Sequence, residues 1–173
     1  MEKKNKKFLW LGMDALLTAV LILLDQWSKH LATVCLKGKN AFVIWKNVFE
    51  LDYLENRGSA FGMFQNKKVF LLIVGVILMG IILYALLKVP NEKRYIPMHF
   101  LFSLIIAGGV GNMIDRIWNG YVVDFFSFVL IHFPVFNVAD VYIVIAAFLI
   151  GILMLFVYKD NELDFLWGSS DKK

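Results

Sequence analysis

Two aspartates in this chain stand in settings that ordinary surface carboxylates do not occupy. Asp124 lies between Val123 and Phe125, and Asp140 heads a stretch, Val141 to Tyr158, that carries no charge. Neither has a cation beside it in sequence. Two carboxylates brought together in a partly dry site cannot both ionise cheaply, so they share a proton, one acting as base toward water and the other as acid. That is peptide-hydrolysis chemistry without a metal or a nucleophilic side chain. A plainer reading stands beside it: Asp140 as an N-terminal helix cap and Asp124 as a loop residue. Other nucleophiles are poorly served, since Ser28, Ser59, Ser103 and Ser127 have no Ser-Lys or Ser-His setting and His30, His99 and His132 are scattered.

More polar residues fall at the same level when the chain is threaded through its apolar stretches. Asp25 and Lys29 are four apart, on one face of a helix, where an ion pair is the simplest expectation. Asn112, Asp115 and Arg116 are spaced three and four apart, which puts them on one helical face looking inward. Arg116 carries a planar fork of donors suited to carbonyls or a carboxylate, although an arginine snorkelling to an interface is an equal alternative. Asn56 and Asn137 complete the set. Ionisable groups at membrane depth cost about 2.5–3.5 kcal/mol each, so their convergence on one side points to function.

The elements that must hold these residues are membrane helices. Of the 173 residues, 60% are hydrophobic and only 18% charged, outside the range of a soluble domain. Sixteen Phe, six Tyr and five Trp suit a bilayer and its boundary. A span needs about 20 apolar residues, and four segments approach that: 11–34, 69–88, 96–114 and 138–158. The fold class expected is a mainly α membrane protein of one domain, 1–173, with four transmembrane helices, a small extracytoplasmic β element and an interfacial loop segment. Gly108, Gly109 and Gly111 would let the third span approach its neighbours closely.

Lysines at 3, 4, 6 and 7, with Lys88, Lys93 and Arg94 in the second connection, favour cytoplasmic N- and C-termini, which puts the polar residues on the outer side. The first span resembles a cleaved signal peptide, but three later spans argue for an anchor. Leu31-Ala32-Thr33-Val34-Cys35 hints at a lipoprotein cleavage site, with Val34 too bulky for it. Cys35, alone, reads as structural, and neither a metal-ligand cluster nor a basic nucleic-acid stripe is present. In the outer connection between spans one and two, Phe49-Glu50-Leu51-Asp52-Tyr53 alternates as a half-buried strand, with Asn56-Arg57-Gly58 as its turn. The third connection, 115–137, holds Tyr121, Phe125, Phe126, Phe128, Phe133 and Phe136 and reads as an interfacial segment.

Five short motifs then align in one order: Asp25-x-x-x-Lys29; Asn56-x-Gly58-x-Ala60-Phe61-Gly62; Gly108-Gly109-x-Gly111-Asn112 running on to Asp115-Arg116; Val123-Asp124-Phe125; and Phe136-Asn137-x-Ala139-Asp140. In these the chain resembles the type II, or lipoprotein, signal peptidase family. The resemblance covers all four spans and both outer connections. It implies a bacterial inner-membrane aspartic endopeptidase with Asp124 and Asp140 as catalytic dyad and Asn56, Asn112, Arg116 and Asn137 lining the substrate site. Asp25, Lys29, Gly58 and Asp115 are expected to support it. The implied substrates are prolipoproteins cut N-terminal to a diacylglyceryl-modified lipobox cysteine, with membrane lipid around them, no cofactor, no nucleic acid, a monomer, and globomycin-type cyclic peptides as inhibitors. Two other readings are a proton-relay transporter, disfavoured because Asp14 lies alone at the inner end of span one, and a prepilin- or presenilin-like aspartyl protease with opposite topology.

Overall fold

The computed structural model describes residues 2–58 and 63–167, with the side chains of 2–5 and 167 left out. Four long helices follow from the four apolar runs: α1 (Glu2–Leu36), α2 (Lys68–Lys88), α3 (Ile96–Trp118) and α4 (Val138–Ile152), the last continued by a π turn, Leu153–Val157. All four are long and apolar enough to cross a membrane. The first is longer than the sequence expectation of 11–34. Its apolar part, Lys6–Leu36, has 31 residues, about 46 Å at ~1.5 Å per residue, against ~30 Å of hydrocarbon. One end of α1 therefore projects beyond the slab.

α3 is the central helix and packs against α1, α2 and α4. Its glycines explain how one helix serves three neighbours. A Cβ at Gly108 would meet the Ala139 carbonyl and Ile143 of α4, one at Gly109 would meet Met79 of α2, and one at Gly111 would meet the Asp25 carboxylate of α1. Three residues within four positions thus open three faces to close approach, as small residues do between membrane helices.

Beyond the C-terminal end of α1 lies a three-stranded antiparallel sheet in the order β1-β2-β3, with β1 at Phe42–Trp45, β2 at Phe49–Asn56 and β3 at Val122–Phe128. The strand expected at 49–53 is present and extends to Asn56. The third connection differs from the expected interfacial segment: seven of its residues form β3, because their backbone groups pair with β2, Phe49 opposite Phe128 and Asn56 opposite Val122. A register shift between Leu51 and Leu54 sets Leu54 opposite Asp124, which leaves Asn56 a diagonal neighbour of Asp124 on the same face. β3 packs back on α1 through a cluster of Ala32, Leu36, Val123 and Phe125. Val129–Ile131 forms a 3₁₀ turn whose lip, Leu130 and Ile131, is exposed.

The opposite end is closed by aromatic packing. Tyr95 and Tyr158 stack at 5.4 Å, Arg94 bonds Glu162 at 3.1 Å, and the segment up to α5 (Asp164–Trp167) folds under the bundle. Asp14 is not alone as expected. His99 Nδ1 of α3 lies 2.8 Å from its Oδ2, both side chains are buried, and the Trp10 ring sits 4.8 Å from the imidazole. A buried carboxylate at membrane depth needs such a partner, and a partner more than eighty residues away leaves no local pattern in the sequence.

Candidate active site

The site is built where β2, β3 and the head of α4 meet the sheet-side halves of α1 and α3. Asp124 is carried by β3 and is 1% exposed. Its Oδ1 accepts from Asn137 Nδ2 at 2.6 Å and its Oδ2 from Asn56 Nδ2 at 2.8 Å. Asp140 occupies the third position of α4, the arrangement of a capping box. The Asn137 side chain accepts from the Asp140 N–H at 3.0 Å, and Asp140 Oδ2 accepts from the Asn137 N–H at 3.2 Å. The cap reading of the sequence is thus half right: Asn137 is the cap, and Asp140 answers it while keeping Oδ1 for Asn112 Nδ2 at 2.8 Å. Every oxygen of the two carboxylates meets one N–H donor.

Asp124 and Asp140 both wall one cavity of about 640 Å³, together with Asn56, Asn112 and Arg116 and an apolar surround that includes Phe133, Phe136 and Val144. That size suits an extended peptide segment rather than a solvent molecule. Burial is the main cause that pushes Asp124 up to about 6, with the charge of Asp140 adding to it and the Asn56 and Asn137 hydrogen bonds opposing. A carboxyl raised by burial beside a second carboxylate has the chemistry required of the acid half of an acid-base pair.

Behind the cavity lies a second polar layer. Lys29 Nζ reaches Asp25 Oδ2 at 2.9 Å, Asp115 Oδ2 at 3.1 Å and Asn112 Oδ1 at 2.9 Å, so its three donors are all used within a site only 2% exposed. The expected Asp25–Lys29 pair is present and does more than pair: Asp25 Oδ1 accepts the Ala139 N–H at 3.0 Å, tying α1 to the first turn of α4. Asp115 accepts the Val123 N–H at 3.1 Å and so pins β3 next to Asp124. Asn112, Asp115 and Arg116 were expected on one face, but they divide. Asn112 and Arg116 line the cavity, whereas Asp115 turns toward α1.

Arg116 donates to the Gly58 carbonyl at 2.9 Å and to the Asn112 carbonyl at 3.2 Å. The Asn56 side-chain oxygen accepts the Gly58 N–H at 2.9 Å, which makes the expected turn an Asx turn at the end of β2. Ala60, Phe61 and Gly62 of the same motif lie outside the described residues. Sequence reasoning passed over Gln26, whose Nε2 donates to Asp25 Oδ2 at 3.2 Å, the Gly111 carbonyl at 3.2 Å and Asp115 Oδ1 at 3.1 Å. Its position beside Asp25 and three residues before Lys29 was the available signal, but an uncharged amide on an apolar helix gives no hint of which carboxylates it will meet.

The family model described as signal peptidase (SPase) II matches residues 17–156, four-fifths of the chain and every residue of both polar layers. The chain belongs to the signal peptidase II family. A lipoprotein signal peptidase of Caldanaerobacter subterraneus subsp. tengcongensis is 41% identical over 145 residues, 83% of this chain and 97% of that relative. One of Streptococcus thermophilus is 39% identical over 142 residues, 82% and 90% of the two chains. Two solved bacterial membrane enzymes superpose with TM-scores of 0.72 and 0.70 at 29% and 28% identity, covering 83% and 85% of this chain and 88% and 95% of theirs. The chain is therefore a bacterial membrane protease. The matched span leaves out Asp14 and the terminal segment from Val157 onward.

Proposed function

We propose that the chain, acting as one peptidase unit over 1–173, is an aspartic endopeptidase that removes the signal peptide from prolipoproteins by cutting N-terminal to a diacylglyceryl-modified cysteine. The observation that carries the reading is the single cavity walled by both Asp124 and Asp140, with the first raised to about 6 by burial. Asp140, ionised, takes a proton from the attacking water, and Asp124, protonated, donates toward the scissile carbonyl oxygen; on collapse the proton held by Asp140 passes to the leaving amine. Asn56 and Asn137 orient Asp124, Asn112 and the Asn137 backbone orient Asp140, and Arg116 offers its guanidinium to peptide carbonyls. No resident cofactor enters this chemistry.

The cavity lies on the extracytoplasmic side of the inner membrane in this reading, with both termini cytoplasmic, as the lysine and arginine distribution supports. The exposed face of α4, Val144 and Ile145, borders it and lets substrate acyl chains remain among membrane lipids. One chain holds the whole cavity, so the enzyme works as a monomer, and globomycin-type cyclic peptides compete for the same space. The test is mass spectrometry of products from a diacylglyceryl prolipoprotein peptide, with chelator present. A product beginning at the lipidated cysteine is expected. Cleavage elsewhere, or cleavage abolished by the chelator, would contradict the reading.

A further inference from the structure

Lys29 does not line the cavity, yet it touches the amide that does. An ammonium donates and never accepts, so the Asn112 atom 2.9 Å from Lys29 Nζ must be the oxygen. The Asn112 N–H₂ is thereby turned toward Asp140 Oδ1, 2.8 Å away. Asn137 is fixed by a separate constraint: its oxygen takes the Asp140 N–H as helix cap, so its N–H₂ faces Asp124 Oδ1 and the Asn112 oxygen, at 2.6 and 3.2 Å. Neither amide orientation is free: the Asp140 N–H fixes Asn137, and the Asn112 oxygen has two donors, Lys29 Nζ at 2.9 Å and Asn137 Nδ2 at 3.2 Å.

We infer that Lys29 is a positioning residue of the reaction: by holding the Asn112 oxygen, it keeps an N–H donor on Asp140 and so keeps Asp140 the base of the pair. The inference rests on the dyad reading. Without a donor at position 29, the Asn112 oxygen keeps only the longer of its two bonds, from Asn137 Nδ2 at 3.2 Å, and an amide held this loosely turns over more often, each time setting an oxygen against an oxygen of Asp140. Two acceptors at hydrogen-bond distance repel unless one carries a proton, so the base would be held protonated at a pH where it must be ionised. Of the charged groups around Asp140, Arg116 from α3 and Asp124 from β3 act on it directly, while Asp25 and Lys29 from α1 and Asp115 from α3 pair with one another behind Asn112. β2 contributes Asn56 there, which does not titrate, while Glu55 pairs with Lys37 and Arg57.

The test separates donor from charge. Lys29→Met carries neither, and Lys29→Gln keeps a donor without the charge. Both are made in an Asp115→Asn background, so that loss of the cation leaves one buried carboxylate, Asp25, with its Gln26 and Ala139 donors rather than two carboxylates unpaired; thermal unfolding shows that each variant is folded, and Asp115→Asn alone is the reference. With a diacylglyceryl prolipoprotein peptide, Lys29→Met should move the acid limb of kcat upward by about one pH unit and lower kcat at least about ten-fold, with KM within about twofold. Lys29→Gln should recover most of both losses. An acid limb in Lys29→Met that coincides with the reference would overturn the inference, as would a Lys29→Gln variant indistinguishable from Lys29→Met. Either result, together with an inactive Asp140→Asn enzyme, would leave the dyad standing and remove Lys29 alone.

Discussion

At the scale of single residues, the site works through the assignment of donors to four carboxylate oxygens. In the proposed dyad Asp124 is the carboxyl that holds the proton, since burial raises it to about 6. In the free enzyme kcat/KM should therefore fall as pH rises through about 6, where Asp124 loses the proton it must donate, giving the alkaline limb of a bell. The same shift has a stability consequence of definite sign. A carboxyl whose folded pKa is raised binds more protons folded than unfolded, so its stabilisation is present below about 4 and is lost by about pH 6. Relative to Asp124→Asn, the wild type should lose up to about 3 kcal/mol between pH 4 and 7; equal pH dependence of thermal unfolding in the two proteins would contradict the assignment. Arg116→Ala removes the tie to Gly58 and a donor on the cavity wall. We expect a KM at least about five-fold higher with the protein still folded, and unchanged kinetics would return Arg116 to a structural role. Asp25→Ala leaves Asp115 as the carboxylate partner of Lys29 and orphans the Ala139 N–H, and loss of one partner of a buried pair costs about 3–5 kcal/mol, readable as loss of accumulated protein.

At the scale of elements, α3 carries the account. Gly111→Ala drives a methyl into the Asp25 carboxylate, which cannot retreat without releasing Lys29 or Ala139. Activity should fall at least about ten-fold. At Gly75 the added methyl would meet only the flexible end of Met113, so Gly75→Ala should stay within about twofold of wild type; equal effects of the two substitutions on cleavage would show that the α1–α3 approach is not critical. The same elements explain what was legible beforehand. Spans two and four could be read because uncharged apolar runs of that length have one stable fate in a bilayer. The five motifs named the two aspartates that wall the cavity and the asparagines that bond them. β1, with Phe42, Val43, Ile44 and Trp45 all exposed, has no alternation to read. β3 was hidden because a strand exists only through its partner, here some seventy residues away. Gln26 and the Asp14–His99 pair were hidden for the same reason: their meaning lies in contacts between helices, which spacing along one helix does not encode.

At the scale of the whole molecule, a polar cluster at one end of a four-helix bundle is balanced by an aromatic closure at the other. The second connection, Lys93 and Arg94, and the segment after Val157 form that closure. A reporter fused after Lys159 should read as cytoplasmic, and an extracytoplasmic signal would invert the placement of the cavity and with it the access of an exported substrate. The central claim is that Asp124 and Asp140 together cut the prolipoprotein. It is tested most directly by incubating wild type, Asp124→Asn and Asp140→Asn, each purified and folded, with a diacylglyceryl-modified prolipoprotein and following loss of the signal peptide by gel shift. Cleavage by the wild type and none by either variant is the expected result. Appreciable cleavage by either variant would contradict it.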